Sequence, residues 1–451
     1  KMWKYLEERD KMEKIFDQIC EVLFSKLQEG EYLTVNFGGE KSQFIRVNSA
    51  KVRQTGLIDD ADLSLELIHN NRVCHCSITV HEPFEVMKDE ALEELERMRV
   101  EVVQLPEDPF IVLPENAGST REVKSANGLP QVNAVDALLP AMDGVDLVGI
   151  WASGQIFRGN ANSAGQKHWF ETETFSLDYS IVTPDHKMVK GTYAGTDWDQ
   201  AVYEANIADS RKKLEVMNRA NKKLNPGEYR TWFAPAAVSD FIDMFSWNGI
   251  SEASVQQGNS ALGKMRSEGQ KLSPLFHLAE DFRSGLVPRF NGRGEVAPDF
   301  LPLVDSGELA NTLVSSRTAK EYKKKSNFAS DGEYMRSPVM NTGSLDEKDV
   351  LKELGTGLYL SNLHYLNWSD NTGGRITGLT RYACFWVENG EIQAPIETMR
   401  FDDTIYRFFG TELEAVGKAK VYLPNVLTYD GRELGGCSCP GILVKSFALT
   451  L

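Results

Sequence analysis

The chain has 451 residues, 41% of them hydrophobic and 25% charged, a composition ordinary for globular proteins and long enough for about three domains. Its 49 basic and 65 acidic residues leave a formal charge of −16, which opposes loading onto nucleic acid or an anionic membrane, where Lys and Arg must neutralise phosphate. Six cysteines (Cys20, Cys74, Cys76, Cys384, Cys437 and Cys439) are too sparse for a disulfide scaffold, the opening residues lack a signal-peptide core, and no apolar run approaches 18 residues. A reducing cytoplasm is the expected location.

Apolar residues Ile15, Ile19, Val22, Leu23 and Leu27 recur at helical spacing, so residues 3–28 read as one amphipathic helix stopped by Gly30. Period-two segments follow at Tyr32–Phe37, Phe44–Val47, Leu63–Ile68 and Val73–Val80. The pairs Gly38-Gly39 and Asn70-Asn71 read as turns between them, giving an antiparallel meander. A helix near 86–99 would cover one face. The passage 105–130, rich in Pro, Gly, Ser and Asn, reads as a linker. A short helix at 132–142 and strands at 146–157, 168–173, 175–183 and 188–194 precede a long helix over 198–223, which Asn225-Pro226-Gly227 breaks. The remainder is turn-dense and strand-prone, with one helix at Pro235–Phe245. The expected class is α+β: a helix-on-antiparallel-sheet domain over 1–110, a middle region over 111–224, and a larger, mostly β domain over 225–451.

Local motifs for chemistry are weak. Gly258-Asn259-Ser260-Ala261-Leu262-Gly263-Lys264-Met265 fits a phosphate loop except at the last position, where a thioether cannot replace the Mg²⁺-binding hydroxyl. Gly249-Ile250-Ser251-Glu252-Ala253 half-matches a nucleophile elbow, but Ser251 reads better as the cap of a helix. In Cys74-His75-Cys76, strand alternation sends His75 to the face opposite both thiols. His277 and Glu280 would share one face of a helix, and Cys437 and Cys439 one face of a strand. The seven histidines contain no H-E-x-x-H, H-E-x-x-x-H or H-x-x-x-H, so neither a metal site nor a catalytic residue is assigned.

From residue 225 onward an ordered set of motifs resembles the TldD/TldE (PmbA) family, once called modulators of DNA gyrase. The set comprises Asn225-Pro226-Gly227-Glu228-Tyr229, Ser260-Ala261-Leu262-Gly263-Lys264 through Gly269-Gln270-Lys271-Leu272, Val304-Asp305-Ser306-Gly307-Glu308-Leu309, and Ser315-Ser316-Arg317-Thr318-Ala319. Its strongest part is Trp368-Ser369-Asp370-Asn371-Thr372-Gly373 running into Phe385-Trp386-Val387-Glu388-Asn389-Gly390-Glu391-Ile392, followed by Pro395. Phe44-Ile45-Arg46-Val47-Asn48 and Gln54-Thr55-Gly56 carry a weaker likeness toward the N-terminus.

The resemblance implies a cytoplasmic metallopeptidase system of two homologous subunits, in which a TldD-type chain holds zinc on an H-E-x-x-x-H helix and a TldE/PmbA-type chain pairs with it. The family's zinc helix falls where this chain has Pro235–Gly258, a stretch with no histidine and with Glu252 as its one glutamate. The expectation is therefore a non-catalytic PmbA/TldE-like subunit that binds no zinc itself. Its partners would be a TldD-like catalytic subunit and peptide or unfolded-protein substrates, with homodimers in isolation. Leu360–Trp368 departs from the family in being aromatic and polar where relatives are rich in glycine. Asn367, Trp368, Asn371 and Thr372, together with Trp386, Glu388, Asn389 and Gly390, are the candidates for a peptide groove or partner interface. Asn389-Gly390 reads as a type I′ hairpin turn, and Trp386 as core. The alternatives are a stand-alone hydrolase, using Cys437, Cys439 and a distant His, and a gyrase-associated binding protein.

Overall fold

The computed structural model describes residues 2–451, and their side chains from residue 11 onward. Helix α1 (Met2–Ser25) opens the chain, followed by strands β1 (Glu31–Asn48), β2 (Lys51–His69) and β3 (Arg72–Thr79) and helix α2 (Phe84–Val102). Then come β4 (Thr120–Val123), α3 (Ala134–Met142), β5 (Asp146–Asn162), β6 (Lys167–Val182), β7 (Met188–Gly195) and α4 (Gln200–Met217). Among the described residues β1–β7 form one sheet in the order β3-β2-β1-β5-β6-β4, with β7 beside β6. Its strands come from both sides of residue 110.

Several expectations need correction, among them the linker expected over 105–130, which holds strand β4 of the first sheet, and the separate segments Tyr32–Phe37 and Phe44–Val47, which are one strand, β1. Gly38-Gly39 is not a turn: β1 runs through it, Gly38 opposite Asp62 and Gly39 opposite Ala61. A Cβ on Gly39 would sit 2.9 Å from that of Ala61, so close strand packing, not a bend, explains the glycine. The turn into β2 is Ser49-Ala50, both at positive φ, whereas Asn70-Asn71 turns as expected. Likewise 168–173 and 175–183 are one strand, β6. Finally, His277 and Glu280 do not share a helix; Glu280 lies on a strand, its buried carboxylate accepting from the amides of Arg336 and Ser337.

Alternation along these long strands gives the sheet two unlike faces. Leu33, Val35, Phe37, Leu63, Leu65, Phe157 and Trp169 pack under α1 and α2, whereas Ile45, Trp151, Phe175, Leu177 and Ile181 pack under α3 and α4. The alternate residues are polar: Asn36, Glu40 and Ser42 on β1, Arg158 and Asn160 on β5, His168, Thr174 and Asp178 on β6. This face looks toward the C-terminal half.

That half begins with β8 (Gly227–Phe233) and helix α5 (Pro235–Phe245) and holds two further sheets among the described residues. One has the order β11 (Glu308–Leu309), β10 (Phe300–Asp305), β9 (Leu278–Asp281), β12 (Pro338–Met340), β21 (Gly436–Cys439), β20 (Val421–Pro424). The other runs β14 (Leu363–Asp370), β15 (Arg375–Thr380), β18 (Arg400–Thr404), β22 (Ile442–Leu449), β8, β13 (Gly357–Leu360), β16 (Cys384–Glu388), β17 (Glu391–Pro395), with β19 (Leu413–Val416) beside β22. Phe233, Phe241, Phe245, Phe401, Phe408, Phe409 and Phe447 fill the core between these sheets and α5. Helices on one face of a mostly antiparallel sheet, in which only β4 runs parallel to its neighbour β6 among the described strands, followed by a larger strand-rich half, make the fold α+β. No described helix is long and apolar enough to cross a membrane.

Arg432 joins the halves. Its guanidinium, on the loop before β21, donates to Ser42 Oγ (3.2 Å), Gly154 O (3.1 Å), Thr174 O (2.9 Å) and Thr174 Oγ1 (2.6 Å). Burial pulls its pKa down to about 10 against the fields of Glu40 and Glu173. Asn36 and Asn160 reach Gly292 O, both at 2.9 Å, and His168 stacks on Phe290 at 4.9 Å.

Candidate functional site

Helix α5 starts with Pro235 at its first turn, where a missing N–H costs nothing, and matches the expected bounds. Ala237, Val238, Phe241, Ile242, Met244 and Phe245 are buried in the core, which leaves Ser239, Asp240, Asp243 and Ser246 as a polar stripe. That stripe forms one wall of a cavity of about 1250 Å³ between the two halves of the chain. The polar face of the first sheet lies across from it, contributing Asn36, Asp62, Arg158, Asp178 and Lys190, and Asn362–Leu366 at the start of β14 close one side.

Two carboxyls on α5 are shifted far upward. Burial, followed by the charge of Asp243, raises Asp240 to about 7, although the Leu363 amide and Lys190 pull the other way. Asp243 opens onto the cavity, and desolvation by the packed protein around it raises it to about 6. Near neutral pH this pair can therefore hold or release a proton. Lys190 is 3.9 Å from Asp178, which also accepts from Thr192 Oγ1 at 3.0 Å. Beside them, burial and then the charges of Arg381 and Lys190 hold His364 below the usual imidazole range. Tyr365 (φ 55°) and Tyr382 (φ 73°) hold left-handed backbone at the cavity wall, a strain of about 1–3 kcal/mol each that marks a site held by its surroundings.

Cys437 also lines the cavity. Its thiol meets that of Cys439 on the same face of β21, and this contact together with burial pushes its pKa well above the ordinary value. Such thiols are poor nucleophiles. Among the described residues no three His, Cys, Asp or Glu side chains converge as metal ligands.

The groove candidates fall into two separate groups. Asn367 and Trp368 lie on β14, one edge strand of the nine-stranded sheet, and Asn371 and Thr372 in the turn after it. Trp368 Nε1 donates to Trp247 O (2.7 Å) and Asn371 Nδ2 to Asn259 O (2.6 Å), fastening the turn to the chain beyond α5. Trp386, Glu388, Asn389 and Gly390 form the hairpin at the opposite edge, between β16 and β17. Asn389 (φ 52°) and Gly390 (φ 79°) make the expected turn. Trp386, expected in the core, is only half-buried. It meets Tyr229 edge-on at 6.0 Å, donates to Glu388 Oε1 at 2.7 Å and lies under Lys222 Nζ at 5.5 Å. The sheet thus holds the two groups apart, and none of the eight residues lines the cavity, which β14 reaches only at Leu363–Leu366.

Other sequence candidates have structural roles. Ser251 caps the helix Glu252–Gln256 by accepting from Ser254 N. Glu252 is buried, and although burial opposes its charge, hydrogen bonds from Arg266, Thr312 and Gln256 hold its pKa down to about 2. Cys74 packs under α2 while His75 faces outward, as alternation requires. The cavity residues Arg158, Lys190, Asp240 and Asp243 gave no local signal, because their neighbours come from distant segments.

A family profile described as the PmbA/TldA metallopeptidase C-terminal domain matches residues 226–451, half of the chain. The chain belongs to the PmbA/TldD family. A Haemophilus influenzae protein described as a metalloprotease PmbA homolog is 26% identical over 246 residues. That match spans about half the length of each protein, 52% of both. Among solved structures, TldE from Thermococcus kodakarensis superposes with a TM-score of 0.76 at 14% identity, covering 97% of this chain and 100% of that one. A Thermotoga maritima protein described as a candidate modulator of a DNA gyrase gives 0.75 at 16% identity over 97% and 100%. A Bacteroides thetaiotaomicron protein of similar description gives 0.76 at 14% identity over 98% and 99%. At such identities these likenesses establish the shared fold.

Proposed function

We propose that this chain is the TldE/PmbA-like subunit of a two-subunit peptidase and that it works with a zinc-bearing, TldD-like partner on peptides and unfolded protein. The observation that carries the reading is the wall of the cavity. Where the resemblance puts the family's zinc helix, α5 presents Asp240 and Asp243 and no imidazole. Two carboxylates fall short of the three ligands a catalytic zinc needs. Zinc would be supplied by the partner, and this chain would hold substrate.

Strand addition is the mode of holding that the topology favours. Edge strand β14 enters the cavity wall at Asn362–Leu366, so backbone pairing there would tolerate varied sequences, while side chains of the first sheet would read the peptide. The bulge between His364 and Asn367 limits pairing to short stretches. A test is co-expression with a TldD-like chain, purification of the complex, and hydrogen exchange on Leu363–Asp370. Slower exchange when an unstructured peptide is added supports the reading; a failure to copurify contradicts it.

A second reading, a hydrolase acting alone in the cytoplasm, draws on the raised pair Asp240 and Asp243, which could serve as acid and base. Peptide turnover by the isolated chain that disappears in Asp240→Asn would favour it.

A further inference from the structure

Arg158 stands apart from the other arginines that line the junction of the two halves. It projects from the polar face of β5 into the cavity wall, and burial pulls its pKa down despite the fields of Glu40 and Glu433. Its hydrogen bonds go to two carbonyls, Phe157 O at 2.8 Å and Arg432 O at 3.3 Å. Among the described residues no carboxylate oxygen lies within 4.0 Å of it. Glu40 accepts from the Arg432 amide through Oε1, its buried Oε2 having no hydrogen-bond partner, and Glu433 accepts from the Asn425 side chain. A guanidinium has five N–H donors, so the fork retains unused ones.

Arg336 lines the same cavity but gives its donors to the carbonyls of Pro288, Arg289 and Phe290 and stacks on Phe282 at 4.9 Å. Arg432 has four acceptors, as described above. Both are braces. Ser330, only 9% exposed, is a second unmet group on the cavity, its hydroxyl without a hydrogen-bond partner. Arg158 is half-buried and its spare donors face the cavity, and a carboxylate fits a guanidinium fork with two parallel bonds.

The cavity also has length and polarity. Arg158 and Ile150, the cross-strand partner of Asp178, are eight residues apart on β5, about 26 Å at the usual rise. The Asp178 end holds Lys190, whose charge reaches Asp240, so the acidic pair of α5 lies toward that end and Arg158 toward the other. An extended peptide of roughly eight residues would span the two.

We propose that Arg158 anchors the free C-terminal carboxylate of a peptide held in this cavity, an inference that rests on the peptide-handling reading above. The peptide then lies with its chain running back toward Asp240 and Asp243, which suit an amine or a basic side chain.

The test is calorimetric titration of the full chain with a short unstructured peptide made as the free acid and as the C-terminal amide. The free acid is expected to bind about tenfold or more tightly than the amide, and Arg158→Gln to abolish that preference, with Arg158→Lys restoring part of it. Equal affinity of acid and amide for the natural chain overturns the anchor while leaving the peptide-handling reading in place. So does a preference that survives Arg158→Gln, or binding of neither peptide. The acid–amide comparison needs no variant, so it decides even if Arg158→Gln does not fold. Copurification with a TldD-like chain tests the underlying reading separately.

Discussion

Replacing Asp240 by Asn should stabilise the protein at pH 8 far more than at pH 5. In the folded chain its pKa is about 7, against 3.8 for the unfolded reference. The folded state therefore keeps a proton that the unfolded chain releases. The group costs nothing below about pH 4, its cost grows as pH rises from there through the folded value, and it levels off above about pH 7. Three pH units at 1.36 kcal/mol each set an upper bound of about 4 kcal/mol at pH 8. Asp240 is partly exposed on the cavity, and solvent screening there halves the effect to about 2 kcal/mol, falling to below about 1 kcal/mol at pH 5. Unfolding entropy of about 2.1 cal/mol/K per residue over 451 residues gives about 1 kcal/mol/K, so the melting temperature should rise by about 2 °C at pH 8 and by under 1 °C at pH 5. Scanning calorimetry at both pH values reads this directly. Asp243→Asn should also lower the Asp240 pKa, since its charge is one of the causes of the shift, so the double variant should gain less than the sum of the two singles. An equal shift at both pH values, or destabilisation that grows with pH, would refute the proposed electrostatics of the cavity.

Further outcomes follow from the same geometry. Arg432→Met should cost about 3–5 kcal/mol and lower the melting point by about 4 °C, because it leaves Ser42, Gly154 and Thr174 without their donor; an unchanged melting point would mean that the halves are held together in some other way. ATP with Mg²⁺ should leave the melting point unchanged, since Gly258–Met265 lacks the metal-binding hydroxyl and feeds only the short helix Gly263–Ser267; a clear rise would reinstate the loop as a nucleotide site. Elemental analysis of the purified chain should show no stoichiometric zinc, and about one tightly held zinc per chain would remove the main reason for placing the metal in a partner.

Elements governed by local pattern were legible in the sequence. Helix α5 and the Asn389-Gly390 turn depend on apolar spacing, a leading proline and a dipeptide with left-handed preference, all visible within a dozen residues. Gly38-Gly39 misled because a glycine pair usually marks a turn, whereas here Ala61 across the ladder demands a residue without a side chain. The polar alternation of β1, β5 and β6 is visible locally, but nothing local shows that the C-terminal half encloses that face. Arg158 and Arg432 are single arginines whose surroundings come from segments hundreds of residues away, so only the fold makes them visible. Trp386 was misread because an apolar strand suggested a central position, while β16 lies next to the edge of its sheet.

Cleavage of an unstructured peptide by a TldD-like chain, measured with and without this protein at equal zinc content, tests the proposed subunit role most directly. Turnover should appear, or rise at least about tenfold, only in the mixture, with this chain inactive alone. Equal turnover by the partner alone would contradict a required subunit and leave this chain as a binding protein.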